Sequence, residues 1–157
     1  MNDSLMGVVT YCVALACGLM AGVFFAFSAF IMKALARVAP AHGIVAMQSI
    51  NVFAVTPLFM TVLFGTAVAC LVLAVSSILN WQRASAVYVF AGCLLYLVGT
   101  ILVTIVFNVP RNNALAAVDP NSADGARLWA DYVSSWTAWN HVRTVAALGA
   151  SALLTLA

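Results

Sequence analysis

The chain has 157 residues, 66% of them hydrophobic, with six basic and four acidic side chains, no glutamate and a formal net charge of +2. A soluble domain carries about 25% charged residues; at 6% this chain cannot cover its surface with polar groups, so lipid is its solvent. The small, scattered positive charge speaks against nucleic acid. The absence of a nucleotide-binding glycine loop, HExxH, a serine-nucleophile motif or a carboxylate pair leaves conventional hydrolase, kinase and flavin or nicotinamide chemistries without support.

The first apolar run covers residues 5–35. Its leader, MNDS, carries an acid and no basic residue, and no charge follows until Lys33. That is too long and too acidic a start for a cleaved signal, so the run reads as a retained span. Lys33, Arg37 and Pro40 close it, and the connector APAHGIVAMQSINV is expected to hold a short interfacial helix. The second span, 53–79, has Pro57 in its opening turns, where a missing N–H costs little. NWQRAS is a tight connection with Trp81 as an interfacial anchor, and the third span covers 84–107. A long polar connection, 108 to 135, opens with NVPRNNAL and turns through VDPNSADG. It then reads as helix, because Leu128, Trp129, Tyr132 and Trp136 recur at helical spacing, a piece that either lies on the membrane or continues into the fourth span. The fourth span, 136–157, is about 33 Å long at 1.5 Å per residue, enough to cross.

The expected fold is therefore an all-α membrane protein, a four-transmembrane-helix bundle in one domain over residues 1–157, without internal repeats. Both termini then share a side. Lys33, Arg37, Arg111, Arg127 and Arg143 gather on the other, which makes the loops between spans one and two and between spans three and four cytoplasmic. In a bacterium the location is the inner membrane, with multiple passes.

Gly18 and Gly22 stand at GxxxG spacing, which permits close helix approach within the bundle or along a homo-oligomer seam. Phe24, Phe27 and Phe30 form a stripe beside Ser28. In the third span Tyr88, Gly92, Tyr96, Thr100, Thr104 and Asn108 recur in steps of four. Such steps drift about 40° each on an α-helix, so only the later members, Tyr96 to Asn108, are candidates for one cavity. Cys12, Cys17, Cys70 and Cys93 lie inside apolar helices without metal spacing and read as small hydrophobes, with a thiol or metal cluster as the alternative.

Polar chemistry collects at one end: His42, Gln48, Asn51, Asn108, Arg111, Asn112 and the segment WTAWNHVRT, residues 136–144. Trp136, Asn140 and Arg143 sit at i, i+4 and i+7 on one helical face, Trp139 flanks it, and His141 points about 100° away from Asn140. An arginine at mid-bilayer costs at least ~2.5 kcal/mol, so Arg143 should face the bundle interior. Three partners are open to it: an aspartate of the long connection (Asp119, Asp124 or Asp131), a ligand oxyanion, or lipid headgroups. Trp136 and Trp139 suit either an interfacial aromatic belt or a pocket wall. His42 and His141, with no acidic companion, make a weak metal pair. Either is a better candidate for a proton acceptor, since imidazole titrates at about pH 6.5.

Taken together, AGVFFAFSAFIMKAL, MQSIN, NVPRNNALA and WTAWNHVRT resemble the anthrone-oxygenase-like family of small four-helix membrane proteins, in order and over nearly the whole chain. The resemblance implies a four-helix bundle that oxidises an anthrone to an anthraquinone with O2 and no conventional cofactor. Asn108, Pro110 and Asn112 match the family's asparagine–proline motif, and Trp136, Asn140 and Arg143 match its last motif; Arg111 stands where the family more often has an apolar residue. On this reading the catalytic residues are Arg143, Asn140, Asn112 and His141. The first three donate to the substrate oxygens, and His141 or His42 takes the proton. Trp136 and Trp139 stack on a flat hydrophobic substrate, and Asn108, Asn51, His42 and Tyr96 complete its surroundings. No metal is assigned; the partners are the substrate, O2 and lipid. Three competing readings stay open: a non-catalytic binder or carrier of a quinone, lipid or pigment, an accessory subunit packing through Gly18 and Gly22, and a transporter, for which four spans offer little alternating-access machinery.

Overall fold

The computed structural model describes residues 3–157, with Asp3 in its backbone only. Among these residues the chain is all helical, without strands. In lipid each backbone amide must be satisfied within the chain, which helices do locally.

Helix α1 begins as Asp3–Ala26, passes through a π turn at Phe27–Ile31 and ends as Met32–Leu35. Helix α2 is Pro40–Phe53, the short helix expected of the connector, with Pro40 in its first turn. Helix α3 is Pro57–Leu79, capped by Thr56, whose hydroxyl accepts from the Phe59 N–H at 3.4 Å. Helix α4 runs without a break as Ala86–Leu94, π segments Leu95–Leu102 and Thr104–Asn108, and Val109–Ala116. Helix α5 is Ala123–Thr155, with Ser122 as N-cap accepting from the Gly125 N–H at 2.9 Å and Asp124 in the first turn, both favourable there.

These bounds correct the sequence reading in three places. The second span starts at Pro57 rather than residue 53, because Val52 and Phe53 still belong to α2. The third starts at Ala86 rather than 84. The long connection over 108–135 shrinks to residues 117–122, since α4 continues to Ala116 and α5 already begins at Ala123. Pro110 does not end α4 because it follows the π turn at the start of a new α segment, where a missing N–H costs least.

Three helices are long and apolar enough to cross a membrane: Ser4–Leu35, Pro57–Leu79 and Ala86–Ala116. Their outward side chains form an apolar surface, with Leu19, Phe25, Leu71 and Ile105 each more than half exposed. Contacts run round the four long helices: α1 lies along α5, α5 against α4, α4 against α3, and α3 back on α1. Small residues set the closest approaches. The Ser151 hydroxyl donates to the Ala14 carbonyl at 2.8 Å and lies 3.1 Å from where a Cβ on Gly18 would sit. Gly18 thus serves packing within the chain, while Gly22 has open space beside it.

Two cores result. One is built from α1, α3, α4 and the end of α5; there Cys70 lies between Cys17 and Cys93, all buried as free thiols, whereas Cys12 is exposed. The other, at the α2 end, joins Met32, Ile44, Met47, Leu115, Trp129, Tyr132 and Trp136. Gln48 fastens α2 over it by donating to the Leu115 carbonyl at 2.8 Å, one of the last carbonyls of α4 that lack a helical partner.

Candidate functional site

Arg143 sits on α5 with 6% of its surface exposed. Its guanidinium donates through Nη2 to Asn140 Oδ1 at 2.7 Å and through Nη1 to Thr104 Oγ1 at 3.3 Å. Its carbon lies 4.5 Å from the Phe24 ring centre and 5.0 Å from that of Trp136, within cation–π range of both. The Nε is buried and without a partner. Among the described residues no carboxylate reaches this cation: Asp124 pairs with Arg127 at 2.8 Å on the surface, Asp119 accepts from the Asn121 N–H, and Asp131 is exposed. The salt-bridge reading of Arg143 falls.

Asn140, wholly buried, is what aims the guanidinium. Its Nδ2 donates to the Phe24 carbonyl and to Ser28 Oγ, each at 2.7 Å. Thr144 donates to the Asn140 carbonyl at 2.8 Å, so the 3.3 Å contact between Ser28 and Thr144 carries the Ser28 proton. With both amide hydrogens engaged, Oδ1 must face Arg143. The α1 partners come from the stretch around the π turn Phe27–Ile31, a distortion often found at functional sites.

Arg143 borders a cavity of about 170 Å³ between α1, α2, α3, α4 and α5. Phe24, Phe27, Phe59 and Trp136 supply aromatic walls; Asn51, Asn112 and Thr104 join Arg143 as its polar groups. Asn112 Oδ1 is held by two donors, Tyr132 Oη at 2.9 Å and Trp136 Nε1 at 2.8 Å, which leaves Nδ2 free to donate. Asn51 approaches the Tyr132 hydroxyl, yet its Nδ2 is buried without a hydrogen bond. Burial pushes the Tyr132 phenol above the ordinary tyrosine value, so it stays neutral. The cavity therefore offers several donors and one uncompensated positive charge, a surrounding that favours an acceptor-rich or anionic ligand.

The other sequence candidates fall elsewhere. His141 is exposed in an outer groove with Lys33 and Thr137, and His42 is exposed on α2; neither lines the cavity. The helical period already turned His141 away from Asn140, and the structure keeps it there. Trp139 stacks on Phe107, with ring centres 3.5 Å apart and planes at 5°. Tyr96 donates to the Leu63 carbonyl at 3.1 Å inside the cysteine core. Asn108 is buried and donates to the Trp136 carbonyl at 3.3 Å, which steadies the wall from behind. Arg111 ties α4 to α5 by donating to Ser135 Oγ at 2.9 Å, and donates within α4 to the Phe107 carbonyl at 2.6 Å. Sequence reasoning missed Phe59 and the other α3 lining residues Met60 and Leu63, which carry no signal beyond apolarity.

A family model described as anthrone oxygenase matches residues 52–153, which takes in α3, α4 and most of α5 and so includes Thr104, Asn112, Trp136, Asn140 and Arg143. No curated protein and no solved structure matches the chain.

Proposed function

The chain belongs to the anthrone oxygenase family, and from that premise we propose that it is a membrane oxidoreductase that oxygenates a flat aromatic ketone of the anthrone type with O2 and no conventional cofactor. The observation that carries this reading is Arg143: a buried cation with an unpartnered Nε, no carboxylate, and an aromatic-walled cavity beside it.

An anthrone that loses a proton from its ring methylene becomes a delocalised oxyanion. That anion gives one electron to O2, the resulting radical pair joins as a hydroperoxide at the former methylene, and loss of water leaves the quinone carbonyl. One O2 is consumed per substrate; one oxygen atom enters the product and the other leaves as water. Preorganised donors aimed at developing negative charge are the largest catalytic term in many enzymes. Here Arg143 Nε, Asn51 Nδ2 and Asn112 Nδ2 are the donors, Asn140 positions Arg143, and Phe24, Phe27 and Trp136 flank the rings. With neither histidine at the cavity, the proton goes to water, and the guanidinium favours ionisation of the substrate rather than a side chain abstracting the proton. An apolar cavity of about 150 Å³ holds one benzene ring. A fused ring system therefore has to extend through the rim near exposed Val55, at the α2–α3 junction.

The same reading includes four membrane spans, the fourth formed by the α5 segment from Trp136 onward, with the α1–α2 and α4–α5 loops cytoplasmic. Oxygen uptake by purified, chelator-treated protein given a simple anthrone tests it. Uptake well above the spontaneous rate, lost in Arg143→Met with the fold intact, is expected; uptake equal in both proteins defeats it. A cavity rich in donors also suits the carbonyls of a quinone, so carriage of a quinone is the second reading. Tight quinone binding without any anthrone-dependent uptake would favour it.

A further inference from the structure

Trp129, Tyr132 and Trp136 follow one another at helical steps on α5, and their rings stack. The Tyr132 and Trp136 centres lie 6.1 Å apart with planes at 23°, and those of Trp129 and Tyr132 lie 5.7 Å apart at 13°. All three are buried. Trp136 is a wall of the cavity; Trp129, seven residues back, is about 10 Å nearer the α4–α5 turn. We propose that this stack is a protective relay, which carries oxidising equivalents away from the oxygen-handling cavity to the aqueous edge of the protein. The proposal rests on the oxygenase reading of that cavity.

Indole and phenol rings are among the side chains most easily oxidised by one electron, and stacked rings couple well enough to pass that electron between them. Direction comes from charge. The Arg143 guanidinium lies 5.0 Å from the Trp136 ring centre, so a radical cation on Trp136 is repelled and moves outward at a gain in energy. The proton chemistry agrees. Trp136 Nε1–H is held by Asn112 Oδ1, an amide that does not keep a proton, and the Trp136 radical cation has nowhere to discharge it. The Trp129 ring is buried, but its N–H donates to no described residue and is not among the fully enclosed unpartnered polar atoms, so water at the chain's polar end can take its proton.

A substrate radical whose superoxide partner escapes adds a second O2 and becomes a peroxyl radical, which takes an electron from Trp136 and a proton from water, leaving hydroxide, and becomes the hydroperoxide. Trp136 recovers its electron from Trp129 through the Tyr132 ring, and Trp129 releases its indole proton as a neutral radical. A water-soluble thiol then returns a hydrogen atom to Trp129, and two thiyl radicals pair as a disulfide.

Anthraquinone, a photo-oxidant with the shape of the expected product, tests this directly in detergent-purified protein. After a laser flash, transient absorption in the wild type should show an indole radical cation followed by a long-lived neutral indole radical. In Trp129→Phe, with circular dichroism unchanged, the indole radical cation should recombine quickly with the quinone anion, and the long-lived signal should fall several-fold. Tyr132→Leu should do the same by opening the stack, whereas Tyr132→Phe should keep the signal. Trp129→Phe should also start at the wild-type oxygenation rate and lose activity after several-fold fewer turnovers. A long-lived radical of equal yield in the wild type and Trp129→Phe would overturn the relay and leave the stack as packing. Anthraquinone that neither binds nor oxidises any tryptophan would overturn the oxygenase reading and the relay with it.

Discussion

Arg143 and Asn140, one turn apart on α5, share a 2.7 Å hydrogen bond in which a buried guanidinium donates to an amide and not to a carboxylate. An amide oxygen orients the cation without neutralising it, so the full charge is left for whatever occupies the cavity. Asn140→Asp converts the bond into an ion pair. The carboxylate no longer donates to the Phe24 carbonyl, but Ser28 can donate to it instead, and the fold should survive. Loss of one oxyanion donor costs about 10²–10³ in turnover in a well-studied hydrolase, and a fall of that order is expected here. Oxygen uptake and a thermal melt check it. Wild-type turnover in Asn140→Asp would show that the free charge is not what the reaction uses.

Arg143→Met separates a site residue from a structural one. The substitution leaves Asn140 Oδ1 without its donor, at about 1–3 kcal/mol. It also removes a buried cation that no carboxylate compensates, whose desolvation costs several kcal/mol. The second effect is the larger, so the melting temperature should hold or rise while turnover disappears. A melt several degrees lower would identify Arg143 as a tie between α4 and α5 through Thr104.

The same cation sets a pH dependence in the ligand. An unreactive hydroxyarene bound beside Arg143 gains stability as its anion, and its pKa should fall by about 1–3 pH units in the complex, as a carboxyl's does beside arginine. Affinity then rises with pH from the lowered pKa of the bound ligand up to the pKa of the free one, and is flat above it. An absorbance titration of the bound probe reads this shift, and Arg143→Met should abolish it. A probe that titrates in the complex as it does in water would remove Arg143 from the site.

The period of 3.6 residues put Trp136, Asn140 and Arg143 on one face and turned His141 outward, and both hold in the fold. What periodicity cannot see is a change of helical register. On an ideal α-helix the Tyr96, Thr100, Thr104, Asn108 ladder drifts round the axis. The π segments Leu95–Leu102 and Thr104–Asn108 wind with more residues per turn, which brings positions four apart nearer alignment. Tyr96, Thr100 and Asn108 are buried together, and Thr104 reaches Arg143. Nor does spacing along the chain reveal that Asn51, Asn112 and Arg143, from three helices, line one cavity. Trp139 shared its segment with the site residues, yet its ring had a partner of its own in Phe107.

The glycines make a last prediction about packing, where two positions with the same residue should behave oppositely. A Cβ on Gly99 would run into the Cβ of Ala146, which is fixed to the backbone of α5 and has no rotamer to yield. Gly99→Ala should therefore push α4 off α5 and destabilise the protein by about 1–3 kcal/mol, the usual cost of overpacking. Gly22 meets nothing within 4 Å, so Gly22→Ala should leave the melt near that of the wild type. A small residue facing open space is useful only if another helix comes there. Gly22→Leu tests that by particle mass in detergent: an unchanged mass would dismiss the homo-oligomer seam suggested by the GxxxG spacing, and a loss of mass would establish it.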